Sequence, residues 1–140
     1  MITYQLCEDI QASAKLTHEN MRVYYEKFAP DWDEAMIRGQ IANLENWDIL
    51  DNDEVVGALR IEFDNQCCVI RDLQVLSVRQ NQGLGAQAIE YAGKQAVKNS
   101  ATTLALRVLK VSPACRLYHR AGFATISEDE RFYYMEKHVS

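Results

Sequence analysis

The chain has no run of Lys or Arg. Fifteen basic residues stand against 20 acids, for a net charge of −5 over 140 residues. Proteins that track nucleic-acid phosphates carry a basic face, so no nucleic-acid partner is expected. An acidic surface instead suits a small cationic substrate such as an amine. Also missing is an apolar run long enough to span a bilayer, and no signal-peptide pattern opens the sequence. A cytoplasmic protein without a membrane partner is expected. Metal-ligand spacing is missing as well. The three histidines lie far apart, and the adjacent Cys67 and Cys68 would point to opposite faces of a strand. With 48% hydrophobic residues the chain needs no disulfide framework, so Cys7, Cys67, Cys68 and Cys115 read as reduced thiols packed as small apolar groups. No repeat, low-complexity tract or linker divides the chain. Residues 1–140 therefore read as a single domain able to bury one core.

What is present is a regular succession of elements. Ile2 to Leu6 alternates as a strand. Asp9 can cap a helix carrying Ala12, Leu16, Met21, Val23, Tyr24 and Phe28, whose imperfect stripe suggests a break around Thr17-His18-Glu19. Pro30 ends that stretch, and Asp31 or Asp33 can start another helix through Ile37, Ile41 and Leu44. Trp47 to Leu50, the Asp51-Asn52-Asp53 turn and Val55 to Phe63 form a hairpin, and a long central strand follows from Cys67 to Val78. A helix then runs to about Asn99-Ser100 and a strand covers Thr102 to Leu109. A short helix starts beside Ser112-Pro113 and ends at Gly122, and two closing strands cover Phe123 to Ile126 and Phe132 to Met135. The order is β-α-α-β-β-β-α-β-α-β-β, an α/β arrangement.

The informative stretch is Leu73 to Gly85, LQVLSVRQNQGLG. Apolar alternation gives way to a polar turn, then to two glycines, and from Gly83 the spacing becomes helical. A strand turning sharply into a helix presents unpaired N–H groups and the positive end of the helix dipole. Glycines there let phosphates approach the backbone, so a phosphorylated cofactor is expected. Gly83-Leu84-Gly85-Ala86-Gln87-Ala88 also satisfies the dinucleotide fingerprint, but the next strand, Thr102 to Leu109, has no acid to hold a ribose. No Gly-Lys-Ser/Thr follows either, which excludes a P-loop.

Gln80-x-x-Gly83-x-Gly85 after Leu73-x-Val75 resembles motif A of the GNAT family of acetyl-CoA-dependent N-acetyltransferases. Ser112-Pro113-Ala114-Cys115-Arg116-Leu117-Tyr118 followed by Gly122-Phe123 resembles that family's motif B. The resemblance is close over the second half of the chain. In the first half it extends only to the order of elements. It implies the GNAT (acyl-CoA N-acyltransferase) fold, a mixed sheet whose parallel fourth and fifth strands splay apart. It implies acetyl-CoA as co-substrate, with the backbone of Leu73, Gln74 and Val75 pairing with the pantetheine arm. The amides of Gln80, Asn81, Gln82, Gly83, Leu84, Gly85 and Ala86 would hold the pyrophosphate. Tyr118 takes the place of the family's general acid, which gives a proton to the departing thiolate; packing is its other reading. The resemblance also allows a homodimer.

Three departures stand out. Where some members carry a glutamate as base on the central strand, this chain has Cys68, Val69 and Ile70. Asp72 is the nearest acid and the candidate base, with Glu62 on the preceding strand as another. The motif B asparagine is Ser112, which keeps a hydroxyl for the cofactor, and the proline before the turn is Ser77. His18, Tyr24, Tyr25, Asp31, Trp32, Asp33 and Tyr133 are the candidates for holding an amine acceptor, a small molecule or a peptide, through cation–π and charge contacts. Two functional classes follow: an N-acetyltransferase acting by direct attack in a ternary complex, and a non-catalytic acyl-CoA-binding module of the same fold.

Overall fold

The computed structural model describes all of residues 1–140. Strand β1 (Ile2–Leu6) is followed by helices α1 (Ile10–Asn20), α2 (Arg22–Phe28) and α3 (Glu34–Ile41). The caps lie where the sequence puts them. Asp9 accepts from the Ala12 N–H at 3.0 Å, and Asp33 from the Met36 N–H at 2.9 Å. Each occupies a helix-start amide that would otherwise lack a partner. The imperfect stripe resolves as two helices that meet at Met21, with φ −102 and ψ 10, so the N-terminal region holds three helices rather than two. The break falls after Asn20, beyond the expected Thr17 to Glu19.

Strands β2 (Glu45–Asp51) and β3 (Glu54–Asp64) form the hairpin. Its turn residues Asn52 and Asp53 both have positive φ, 51 and 72, which matches the right-handed twist of the strands they join. Asn65, φ 56, turns the chain into β4 (Cys67–Val75). A single 3-10 turn, Ser77–Arg79, leads to α4 (Leu84–Lys98), and β5 (Thr103–Leu109), α5 (Ala114–Arg120), β6 (Ala124–Glu128) and β7 (Phe132–His138) complete the chain. The central strand stops at Val75 instead of running to Val78. The Asn20 side chain takes up the backbone on both sides of Leu76, bonding the Val75 carbonyl at 3.1 Å and the Ser77 N–H at 3.1 Å, so a strand cannot continue there.

The seven strands form one mixed sheet in the order β1-β2-β3-β4-β5-β7-β6. β4 and β5 are parallel, and their register covers Cys67↔Thr103, Cys68↔Leu104 and Val69↔Ala105, fewer residues than either strand contains. β5 pairs antiparallel with β7 over its full length. Apart from the extra helix, the element order is the expected one.

The chain divides into two compact units, Met1–Arg60 with Asp72–Leu84, and Ile61–Arg71 with Gly85–Ser140. In the first, Ala14, Tyr25, Ile37 and Ile41 form a buried cluster among the three N-terminal helices, edged by Ile10, Met21, Tyr24, Ala29 and Leu44. In the second, the helical spacing of Ala88, Ala92 and Ala96 gives α4 a flat buried side, and Leu104, Leu106 and Val108 bury alternate positions of β5. Each fully buried Leu or Ile stabilises by about 1.5–3 kcal/mol. All four cysteines are free thiols, with Cys68 fully buried and Cys67 half-buried, as opposite faces of a strand require. No helix is long and apolar enough to cross a membrane.

Candidate active site

The glycine turn is built as a strand-to-helix junction with an exposed backbone. Gln80 to Gly83 are exposed, and Asn81 and Gly83 both occupy the left-handed region, at φ 63 and φ 80. Glycine is needed at Gly83 for that backbone conformation. A Cβ built there meets nothing within 4 Å, which leaves the space open to a ligand. Gly85 serves a different purpose. A Cβ there would come within 2.9 Å of Leu117 Cδ2, so the missing side chain makes room for α5.

Two side chains brace the turn. Gln80 Nε2 donates back to the Val75 carbonyl at 3.1 Å, and Arg79 Nε donates to Gln82 Oε1 at 3.1 Å. Arg79 also pairs with Asp51 at the end of β2, and this hydrogen bond holds the Asp51 carboxyl below the usual carboxylate range.

Upstream lies a polar cluster that the sequence reading missed. Arg60, in the middle of apolar β3, is completely buried. Its Nε donates to Asn46 Oδ1 at 2.8 Å. One terminal nitrogen donates to Thr17 Oγ1 at 2.8 Å and Asp72 Oδ2 at 2.6 Å, the other to the Ser13 carbonyl at 3.2 Å and Ser13 Oγ at 2.6 Å. Asp72, the candidate base, is thus the counter-charge of a buried guanidinium, and its other oxygen accepts from Gln74 Nε2 at 2.8 Å. Each oxygen thus already takes one donor. Glu62, the other acid considered, pairs with Arg71 at 3.2 Å, with both side chains close to half exposed.

The strand-end backbone is shaped by a second glycine. A Cβ on Gly57 would lie 2.3 Å from the Gln74 carbonyl, so β3 approaches β4 more closely there than any side chain permits. The available signals were a lone arginine and a lone glycine inside the apolar run Val55 to Phe63. An open groove of about 410 Å³ is lined by Ala12, Lys15, Leu16, Glu19 and Asn20 of α1 and by Leu76 to Val78.

Among the acceptor candidates, His18 stacks on Tyr25 at 6.0 Å and Tyr25 lies 5.5 Å from Trp32, while Tyr24 packs on Phe28 at 4.9 Å. Burial, and next the charge of Asp72, push the Tyr25 hydroxyl up to about 12, so it stays protonated at neutral pH. Asp33 is engaged as a helix cap and Asp31 is exposed. Tyr133 already has a cation over its ring, Lys110 Nζ at 5.2 Å.

Tyr118 lies one turn before the end of α5, buried and edge-on to Phe123 at 5.8 Å. Gly122, φ 97, ends that helix, as its place in the sequence suggests. Ser112 Oγ accepts from the Ala114 N–H at 3.1 Å just before α5, and its hydroxyl still has its own proton to give.

The acetyltransferase (GNAT) family profile matches residues 11–123, a span that includes every one of these groups except Tyr133. The chain belongs to the GNAT acetyltransferase family. No curated protein sequence matches it. Solved structures share its fold at low identity. The PaiA N-acetyltransferase of Thermoplasma acidophilum, in complex with coenzyme A, has a TM-score of 0.83 at 14% identity, covering 99% of this chain and 99% of that one. The ribosomal-protein-S18-alanine N-acetyltransferase of Escherichia coli has a TM-score of 0.76 at 19% identity, covering 100% and 95%. Ard1 of Thermoplasma volcanium has a TM-score of 0.75 at 16% identity, covering 99% and 98%. The sheet is thus the GNAT sheet, and acetyl-CoA is the co-substrate of this GNAT family.

Proposed function

We propose that this chain is an N-acetyltransferase that moves the acetyl group of acetyl-CoA to a primary amine by direct attack in a ternary complex. The observation that carries the reading is the exposed turn Gln80 to Gly83 at the head of α4. Two of its residues are left-handed, and open space stands where a Gly83 side chain would be. A diphosphate fits such a turn. Asn81, Gln82, Gly83, Leu84, Gly85 and Ala86 would contribute amides to it, while the Gln80 N–H, expected among them, donates to the Ser77 carbonyl at 3.4 Å. The backbone of Leu73, Gln74 and Val75 would pair with the pantetheine arm, apart from the Val75 carbonyl, which Asn20 and Gln80 occupy, and Ser112 would offer its hydroxyl.

Acetyl-CoA supplies the activated acyl group when bound. The amine nitrogen bonds to the thioester carbon, the carbon–sulfur bond breaks, and the Tyr118 hydroxyl gives its proton to the departing sulfur. The proton lost by the amine leaves through water, since Asp72 is tied to Arg60 and Gln74. His18 and Trp32, which flank the buried Tyr25, are the aromatic side chains proposed to meet an ammonium ion, so the acceptor is a small-molecule or peptide amine. The cytoplasm, where acetyl-CoA is available, is the proposed location.

A thiol-release assay with acetyl-CoA and a panel of amines tests this. CoA released only with particular amines is the expected result. Acetyl-CoA binding without release for any amine would instead support the non-catalytic module, which the commitment of Asp72 to Arg60 favours. Replacing Tyr118 by Phe removes only the hydroxyl. It should lower kcat by at least about 100-fold, the lower end of general-acid contributions, with cofactor affinity unchanged. Normal turnover with a reduced melting temperature would make Tyr118 a packing residue.

A further inference from the structure

Four polar side chains follow one another from the buried guanidinium to the end of β4. Arg60 donates to Asp72, Gln74 Nε2 donates to Asp72 Oδ1 at 2.8 Å, and Asn20 Nδ2 donates to Gln74 Oε1 at 3.0 Å. Asn20 then bonds the main chain on both sides of Leu76. Its Nδ2 donates to the Val75 carbonyl at 3.1 Å, and its Oδ1 accepts from the Ser77 N–H at 3.1 Å. A side-chain amide has a donor end and an acceptor end of nearly equal shape, so Gln74 does not fix its own direction, whereas Asn20 is also set by the Val75 carbonyl, which only accepts, and by the Ser77 N–H, which only donates. An ionised carboxylate only accepts. With Arg60 on its other oxygen, Asp72 requires the NH2 of Gln74, which turns the Gln74 oxygen toward Asn20. That oxygen meets the NH2 of Asn20, so the side-chain relay and the main chain on both sides of Leu76 demand the same orientation of Asn20.

We infer that Asp72 is a positioning residue whose charge fixes the direction of the relay Asp72–Gln74–Asn20, and that this relay holds the end of β4 in the shape the cofactor meets. The inference rests on the proposed acetyl-CoA site at that strand end. The segment is set from three other directions too. Gly57 admits the Gln74 carbonyl, Gln80 adds a second donor to the Val75 carbonyl, and the Leu76 N–H bonds the Val56 carbonyl at 3.0 Å. Only the relay, however, depends on a charge. An amide in place of Asp72 would present an NH2 to the Gln74 NH2. Gln74 would have to reverse, its NH2 would then meet the NH2 of Asn20, and the reversed Asn20 would set oxygen against the Val75 carbonyl and NH2 against the Ser77 N–H.

The test compares Asp72→Asn with the double variant Asp72→Asn/Gln74→Glu. In the double variant the amide introduced at position 72 donates to the carboxylate introduced at position 74. That carboxylate again accepts from Asn20, so the charge that directs the relay is restored one side chain along. Exchange of the Ser77 amide proton, measured on the free protein, should speed up in Asp72→Asn and return toward wild type in the double variant. The Kd for CoA by calorimetry should rise about tenfold in the first and recover in the second, about one net hydrogen bond's worth. KM for acetyl-CoA should follow Kd, with the pH profile of kcat unchanged. Asn20→Leu should reproduce the effect of Asp72→Asn and add nothing to it, as members of one network do. Should Asp72→Asn fail to fold, Asn20→Leu and Asn20→Asp at the half-buried end carry the same readouts; the introduced carboxylate retains the Ser77 bond and loses both donors.

Wild-type Ser77 exchange and CoA affinity in Asp72→Asn, with kcat lowered and one limb of its pH profile gone, would overturn the inference and make Asp72 the base. Failure of the wild-type protein to bind CoA, with Ser77 exchange responding as described, would contradict the transferase reading while the relay itself stood.

Discussion

Strand β4 is one continuous strand held in two different ways. Cys67 to Arg71 is held by what usually holds a strand. It has a parallel register with β5, buried Cys68 and Ile70 alternate with less buried neighbours, and Arg71 meets Glu62 near the surface. Asp72 to Val75 is held by side-chain polar groups, namely Arg60 through Asp72, the Gln74 amide, and Asn20 on the main chain. Apolar packing tolerates small shifts, whereas a hydrogen-bond network with a fixed direction does not. The half proposed to meet a cofactor is the half with its geometry specified by polar groups.

The largest expected difference between the halves comes from their two arginines. Replacing Arg60 by Met leaves a carboxylate without its counter-charge and the groups around it without a donor. Breaking a buried pair from one side costs about 3–5 kcal/mol, and urea denaturation should show a loss of that order. Replacing Arg71 by Ala in the exposed pair should cost about 0–1 kcal/mol. Equal losses would mean that the two halves are held alike.

Glycines give a smaller contrast. Gly57→Ala would put a methyl group 2.3 Å from the Gln74 carbonyl, so backbone must move. A loss of about 1–3 kcal/mol by urea denaturation is expected, as for other overpacked sites. In α4 the Cβ of a Gly93→Ala variant would make ordinary contacts of 3.8 Å with Leu104 and 3.9 Å with Val139. That change should be neutral or stabilising by about 0.5–1 kcal/mol through helix propensity.

The smallest effect is a pH dependence at the turn that follows β4. Hydrogen bonds from Arg79 first, and from the chain's amino group next, lower the folded-state pKa of Asp51. A depressed acid adds stability above its unfolded pKa, about 3.9, and that share disappears as pH falls through the folded value. Asp51→Asn should therefore flatten the loss of melting temperature between about pH 4 and lower pH, because its amide does not titrate. An unchanged acid slope would show that the Arg79 brace adds nothing to the turn.

Most of the fold was legible because it follows from local patterns. Period-two runs gave the strands, Asp9 and Asp33 gave helix starts, and Gly122 gave a helix end. The glycine turn and Tyr118 were legible because both lie in motifs of fixed spacing. The Arg60 cluster was not, since its members Ser13, Thr17, Asn46 and Asp72 are scattered in sequence. Only the fold brings them around one guanidinium and sets Gln74 and Asn20 in line behind Asp72. The early end of β4 was hidden for the same reason. Val75 to Val78 has the composition of a strand, and a side chain from α1 overrides it. Gly85 was read as access for a phosphate, but the structure shows that it also makes room for Leu117.

The central claim is that the turn at Gly83 receives the diphosphate of coenzyme A, and calorimetric titration of CoA into three proteins tests it. Gly83→Ala and Gly83→Glu share the same strain, about 1–2 kcal/mol for a side chain in the left-handed region, and neither meets other atoms of the chain within 4 Å at Cβ. They differ in the carboxylate that Glu would place where the diphosphate is proposed to lie. Wild type is predicted to bind, Gly83→Ala to bind more weakly, and Gly83→Glu to show no binding. A Gly83→Glu variant that binds CoA as well as Gly83→Ala would contradict the account.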